Sequence, residues 1–190
     1  GYHPYVNATQ QAADMIDALT AAKSGLPAGT TASTKLFVTG YSQGGFVAMA
    51  TQRALQLAGT PVTASAPMSG PYALAAYLDA IFYGNVALGS TAFAPLATSS
   101  FQNAYGNIYT TPADIYETAY ATGIDSLVPG PYDFTTVYSS GKLPQTALFS
   151  STPPAAPFAG ITPPTGTGAT DALFALGFGT SNLIKNSARL

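Results

Sequence analysis

The chain has 190 residues, enough for one ordinary domain or one domain with a large insertion, and its 47% hydrophobic content supplies a core and argues against disorder. Charged residues make up only 7% against a usual share of about 25%, so Thr, Ser, Asn, Gln, Gly and Tyr must cover the surface, as expected of a secreted or periplasmic protein. A net charge of -2, with the six basic residues scattered at Lys23, Lys35, Arg53, Lys142, Lys185 and Arg189, excludes nucleic acid as a partner, and the absence of cysteine excludes disulfides, thiolate metal sites and cysteine nucleophiles. The chain opens on Gly1-Tyr2-His3-Pro4 with no basic and apolar leader, so any export signal is expected to have been removed or to lie outside the numbering.

After Pro4, Val6, Ala12, Met15, Ile16, Leu19 and Ala22 recur at three- and four-residue intervals and predict an amphipathic helix closed by Lys23-Ser24-Gly25. Asn7, although part of an Asn7-Ala8-Thr9 sequon, reads as that helix's N-cap. A loop over 26–34 leads to a β-prone run at 35–39, a helix over 46–56, a break at Gly59-Thr60-Pro61 and a second short strand over 62–66. Strand, helix, strand makes one right-handed crossover between parallel strands. The uncharged stretch 54–78 is interrupted by Pro61, Pro67 and Pro71 and is not expected to span a membrane.

From residue 72 onward the pattern changes to helices over 72–81, 112–121 and 169–178, joined by Pro-, Gly- and Thr-rich loops such as 151–168. Most of the Tyr and Phe residues lie here, among them Phe82, Tyr83, Phe93, Phe101, Tyr105, Tyr109, Tyr116, Tyr120 and Tyr132. The expected organisation is a partial α/β core over 1–80 and a mostly helical, aromatic-rich cap over 81–190. Most of those aromatics are expected to pack the cap and a minority to line a pocket.

The chemistry concentrates between the first strand and the next helix, in Gly40-Tyr41-Ser42-Gln43-Gly44-Gly45. This is the Gly-x-Ser-x-Gly pattern of a nucleophile elbow. A serine there needs a cramped backbone to lift its hydroxyl clear of the sheet, and glycines two positions to either side are expected to remove colliding Cβ atoms. A valine at Gly44 should accordingly crowd the turn. Ser42 is the candidate nucleophile, and the Gln43 backbone N–H, at a helix N-terminus, is the candidate oxyanion donor.

A serine also needs a base, and the single histidine, His3, precedes the elbow instead of following it and reads as a structural or rim residue. Asp79 falls inside a helix, Asp114 and Glu117 read as first-turn residues, Asp125, Asp133 and Asp171 have no histidine after them, and Asp14 and Asp17 belong to the solvated face of the first helix. Two strands are also too few for a covered parallel sheet. The expectation is that these 190 residues are the middle of a longer polypeptide that supplies the acid, the histidine, the second oxyanion donor and further strands.

The segment 35–56 with its elbow, followed by Ala66-Pro67-Met68-Ser69-Gly70-Pro71-Tyr72, resembles the centre of α/β-hydrolase-fold lipases and esterases, nearest to secreted bacterial carboxylesterases and the secretory-lipase type. That resemblance implies hydrolysis of a small-molecule or lipid carboxylic ester through an acyl-enzyme on Ser42, with no cofactor or metal, beneath a lid inserted after the strand that follows the elbow. Cutinase- or thioesterase-like hydrolases, a peptidase on the same fold, and a non-catalytic binding domain that kept the elbow remain open.

Overall fold

The computed structural model describes residues 2–82, 86–150 and 177–189. The chain divides between Leu74 and Ala75 into two units, Pro4–Leu74 and Ala75–Leu190 with the first three residues.

In Pro4–Leu74, helix α1 spans Ala8–Ser24 and begins where expected, with Asn7 Oδ1 accepting the Gln10 N–H at 3.1 Å. A cap of this kind contributes about 1 kcal/mol. Gly25 closes the helix by donating its N–H to Ala21 O. Strand β1 is Phe37–Tyr41, helix α2 is Gln43–Leu57, and strand β2, Ala64–Met68, runs parallel to β1 with Phe37 opposite Ala64 and Tyr41 opposite Met68. The parallel crossover is as expected, but each strand lies two residues later than its predicted run. At Leu36 the pairing is made partly by a side chain, Leu36 N–H donating to Thr63 Oγ1 at 3.0 Å, so the regular ladder starts only beyond it. Pro67 ends the predicted second strand, yet β2 continues through it; proline is tolerated where a strand edge asks for no N–H.

Helix α2 packs on both strands and on α1. Gly45, Phe46, Ala48, Thr51 and Leu55 are its buried positions, and Gln11 and Ala12 are those of α1. The opposite face of the sheet is open: Phe37 is 65% exposed, Tyr41 71% and Met68 48%, with Thr39, Ala64 and Ala66 exposed between them. Alternation in these strands therefore divides a face under α2 from an uncovered apolar one.

In the other unit, α3 spans Leu74–Phe82, α4 Ser90–Tyr105, α5 Thr118–Ala121 and α6 Phe134–Ser139, with short 3-10 turns at Pro112–Asp114, Ile124–Ser126 and Asn186–Arg189. The first of these helices is near its predicted place, and the helix predicted over 169–178 lies almost wholly outside the described residues. The single helix predicted over 112–121 is broken. Glu117 N–H donates to Leu183 O at 2.9 Å, Lys185 N–H donates to Ile115 O at 2.8 Å, and Tyr116 bridges Ile184, so a distant segment takes the backbone groups a continuous helix would have used. Pro95 and several Ser and Thr residues interrupt the apolar pattern of α4. The helix is bounded by Gly89 and Gly106, both at positive φ.

The core here joins Val86, Tyr116, Ile124, Val137, Leu143, Leu148, Phe149, Leu183 and Ile184, with the Phe149 ring 5.9 Å from Phe82 and 6.5 Å from Phe178. Phe93, Tyr105, Tyr132 and Phe134 are exposed. Burial pushes the Tyr116 phenol well above its ordinary 10.0, although its hydrogen bond with Thr98 works the other way. Tyr109 is raised by burial and then by donating to Asp125. The unfolded chain releases these protons near pH 10 while the folded one holds them, so stability is expected to fall as pH rises above about 10. Absorbance titration near 295 nm checks this: both phenols should stay protonated until the protein unfolds, and Tyr116→Phe should flatten the alkaline loss.

Candidate active site

Ser42 occupies the single position between the end of β1 and the start of α2, at φ 55° and ψ -122°. A positive φ in a non-glycine residue is a strained backbone, of the kind held in place only by its surroundings. Those surroundings are close by. Ser42 N–H donates to Met68 O at 2.9 Å, while Gly45 N–H and Phe46 N–H donate to Ser42 O at 2.9 and 3.2 Å. The side chain of Ser42 caps none of the helix N–H groups, although serine commonly does at this position, and the residue is exposed. Its hydroxyl therefore stands at the carboxyl end of the parallel strands, outside the sheet.

Glycine makes the approach possible, but not at both positions expected. A Cβ on Gly40 would lie 2.0 Å from Gly44 O and 2.3 Å from its carbonyl carbon, so Gly40 admits no side chain. A Cβ on Gly44 would meet nothing within 4 Å. The expected crowding by a side chain at Gly44 is thus corrected: the collision belongs to Gly40, because it is the β1 backbone that passes beneath the first turn of α2. Gly45 and Gly70 are constrained in the same way. Their Cβ atoms would come within 2.3 Å of Met68 O and 2.5 Å of Phe46 N. Glycine following the serine by three residues, with another beyond the second strand, is the sequence signal for this packing.

Gln43 is the first residue of α2, where backbone N–H groups have no acceptor within the helix. Tyr41, beside Ser42, lies on the uncovered sheet face. His3 is partly buried and falls with Ala75–Leu190, not with the unit that carries Ser42.

The carboxylates have local work. Asp114 accepts the N–H groups of Thr111 and Thr110 at 2.9 Å each, which holds its carboxyl below the usual range. Asp133 caps α6 through the Thr136 N–H at 2.7 Å and is lowered for the same reason. Asp125 accepts from Ser99 Oγ at 3.1 Å and from the Tyr109 hydroxyl. Asp79 lies within α3, Asn182 donates to Glu117 at 3.3 Å, and Asp171 is outside the described residues. Among the described residues, no three His, Asp or Glu side chains cluster where a metal ion could be held. A pocket of about 320 Å³ lined by Leu19, Ala22, Leu26, Leu36 and Pro61 sits at the amino ends of the strands, the end opposite Ser42. No described helix is long and apolar enough to cross a membrane.

The part of the chain matched by solved structures has an esterase/hydrolase fold. It is similar to the rice cell wall degrading esterase LipA from Xanthomonas oryzae, with 34% identity and a TM-score of 0.68 over 76% of this chain and 39% of that one. A point mutant of the same esterase matches with 36% identity and a TM-score of 0.69 over the same shares. A Legionella pneumophila protein provisionally described as a hydrolase matches with 27% identity and a TM-score of 0.61, over 76% of this chain and 38% of that one. This chain therefore spans about two fifths of the length of these neighbours. No family model matches it, and no curated protein does.

Proposed function

We propose that the chain carries the nucleophile of a carboxylic ester hydrolase of the α/β-hydrolase type. The observation that carries this reading is Ser42 at φ 55° between a parallel strand and a helix N-terminus, its hydroxyl outward and the Gln43 N–H beside it. Ser42 Oγ attacks the ester carbonyl carbon while a base takes the hydroxyl proton. The negative charge that develops on the carbonyl oxygen is met by the Gln43 N–H. The tetrahedral adduct collapses, the alcohol leaves with the proton, and water releases the acid from Ser42 by the same steps.

The base, its acid and the second oxyanion donor come, in this reading, from polypeptide outside these 190 residues. The exposed apolar face of Phe37, Tyr41 and Met68 supports that, since parallel sheets are ordinarily covered on both faces. So does the share of the esterase neighbour that this chain leaves unmatched. The substrate in this reading is a small-molecule or lipid ester, and the enzyme works outside the cytoplasm. The cell wall role of the Xanthomonas neighbour makes wall-linked esters a substrate class to try first.

A serine-reactive fluorophosphonate tests the assignment. It should label Ser42 in the intact protein and leave residues 1–190 by themselves unlabelled. An intact protein that resists the probe would remove the nucleophile; labelling of the isolated residues would remove the external base.

A further inference from the structure

Ser42 has a counterpart on the neighbouring strand. Tyr41 and Met68 are register partners at the last positions of β1 and β2, and each is followed by a serine at positive φ, Ser42 at 55° and Ser69 at 51°. Ser69 is held from both sides. Met68 O accepts the Ser42 N–H at 2.9 Å, and Gly70 lies so close to the first turn of α2 that a Cβ there would be 2.5 Å from Phe46 N and 2.9 Å from the Gly45 carbonyl carbon. The same Cβ would be 2.6 Å from Tyr72 Cε1, so the Tyr72 ring folds back over this turn. Ser69 itself is exposed at the carboxyl end of the sheet, where open α/β folds bind their ligands.

Close packing around Met68 and Gly70 dictates the backbone turn at Ser69, and glycine would adopt that φ without strain. A serine in its place carries a hydroxyl at the position that follows Met68, as Ser42 follows Tyr41, the register partner of Met68. Strained non-glycine residues of this kind cluster at functional sites.

We propose that Ser69 is a substrate-positioning residue whose hydroxyl hydrogen-bonds an oxygen of the ester bound at Ser42. This rests on the reading of Ser42 as nucleophile. The hydroxyl is not part of the proton relay, so its effect falls on binding and alignment of the ester.

The test compares Ser69→Ala and Ser69→Gly in the intact protein with a p-nitrophenyl butyrate assay and thermal unfolding. Both variants should lose about tenfold in kcat/KM, mainly through a raised KM, the loss expected for one hydrogen bond to substrate. Ser69→Gly should keep or raise the melting temperature because it relieves the positive φ, which separates the effect from a damaged fold. Wild-type kcat/KM in Ser69→Gly would overturn the proposal and leave Ser69 as a turn residue. Ser42→Ala, run alongside, reports separately on the nucleophile: turnover retained there removes the ester hydrolase reading itself.

Discussion

Ser42→Ala should reduce ester hydrolysis by the intact protein at least about 10⁴-fold while leaving its melting temperature close to that of the wild type. Losses of this size follow when the nucleophile of an acyl transfer is removed, because the remaining donors stabilise a transition state that no longer forms a covalent bond to the protein. Stability should hold because the Ser42 side chain is exposed and caps no helix N–H group. Ser42→Gly sharpens the result: it removes the same hydroxyl and also relieves the backbone at φ 55°, so it should be as inactive and no less stable. Turnover retained by either variant would take Ser42 out of the mechanism. The pair also separates chemistry from strain, since a protein that needed the serine only for its turn would tolerate glycine fully.

Gly40→Ala should destabilise the protein by about 3 kcal/mol or more, the range of severe overpacking. The added methyl would sit 2.0 Å from Gly44 O, and the obstacle is backbone, so no side chain can swing aside. Helix α2 would have to lift off β1, carrying Ser42 with it. Gly44→Ala should behave oppositely. Its Cβ enters open space near the start of α2, where alanine is favoured over glycine by up to about 1 kcal/mol. Urea unfolding of the two variants reads the difference directly. Equal midpoints would mean that β1 and α2 do not approach as closely as the structure has them.

Much of the first unit is legible in the sequence because its determinants are local. Asn7 and Gly25 bracket α1 with a cap and a stop, and Gly40-Tyr41-Ser42-Gln43-Gly44 places a strand end, a turn and a helix start within five residues. What hides the first turn of α2 is its own glycines, which weaken a helical pattern although tertiary contact requires one of them: Gly45 lies against Met68 O. The second unit is less legible. Helix α4 forms in spite of Pro95 because that proline and Thr91, Ala92, Leu96, Ser99 and Ser100 are buried together, and burial outweighs the lost backbone hydrogen bond. The helix expected over 112–121 fails for the converse reason, its backbone groups being taken by residues near Leu183 and Lys185.

The order of elements in Pro4–Leu74 and the serine at the strand-to-helix junction are readable without coordinates, because capping, periodicity and turn chemistry act over a few residues. Packing was needed to tell which glycine the elbow cannot lose, where the ladder of β1 and β2 begins and which serine holds the matching position on β2. The first depends on how closely the backbone at Gly40 passes Gly44 across the sharp turn at Ser42, and the other two on the pairing of β1 with β2 and the approach of Met68 to Gly45, between segments far apart in the chain.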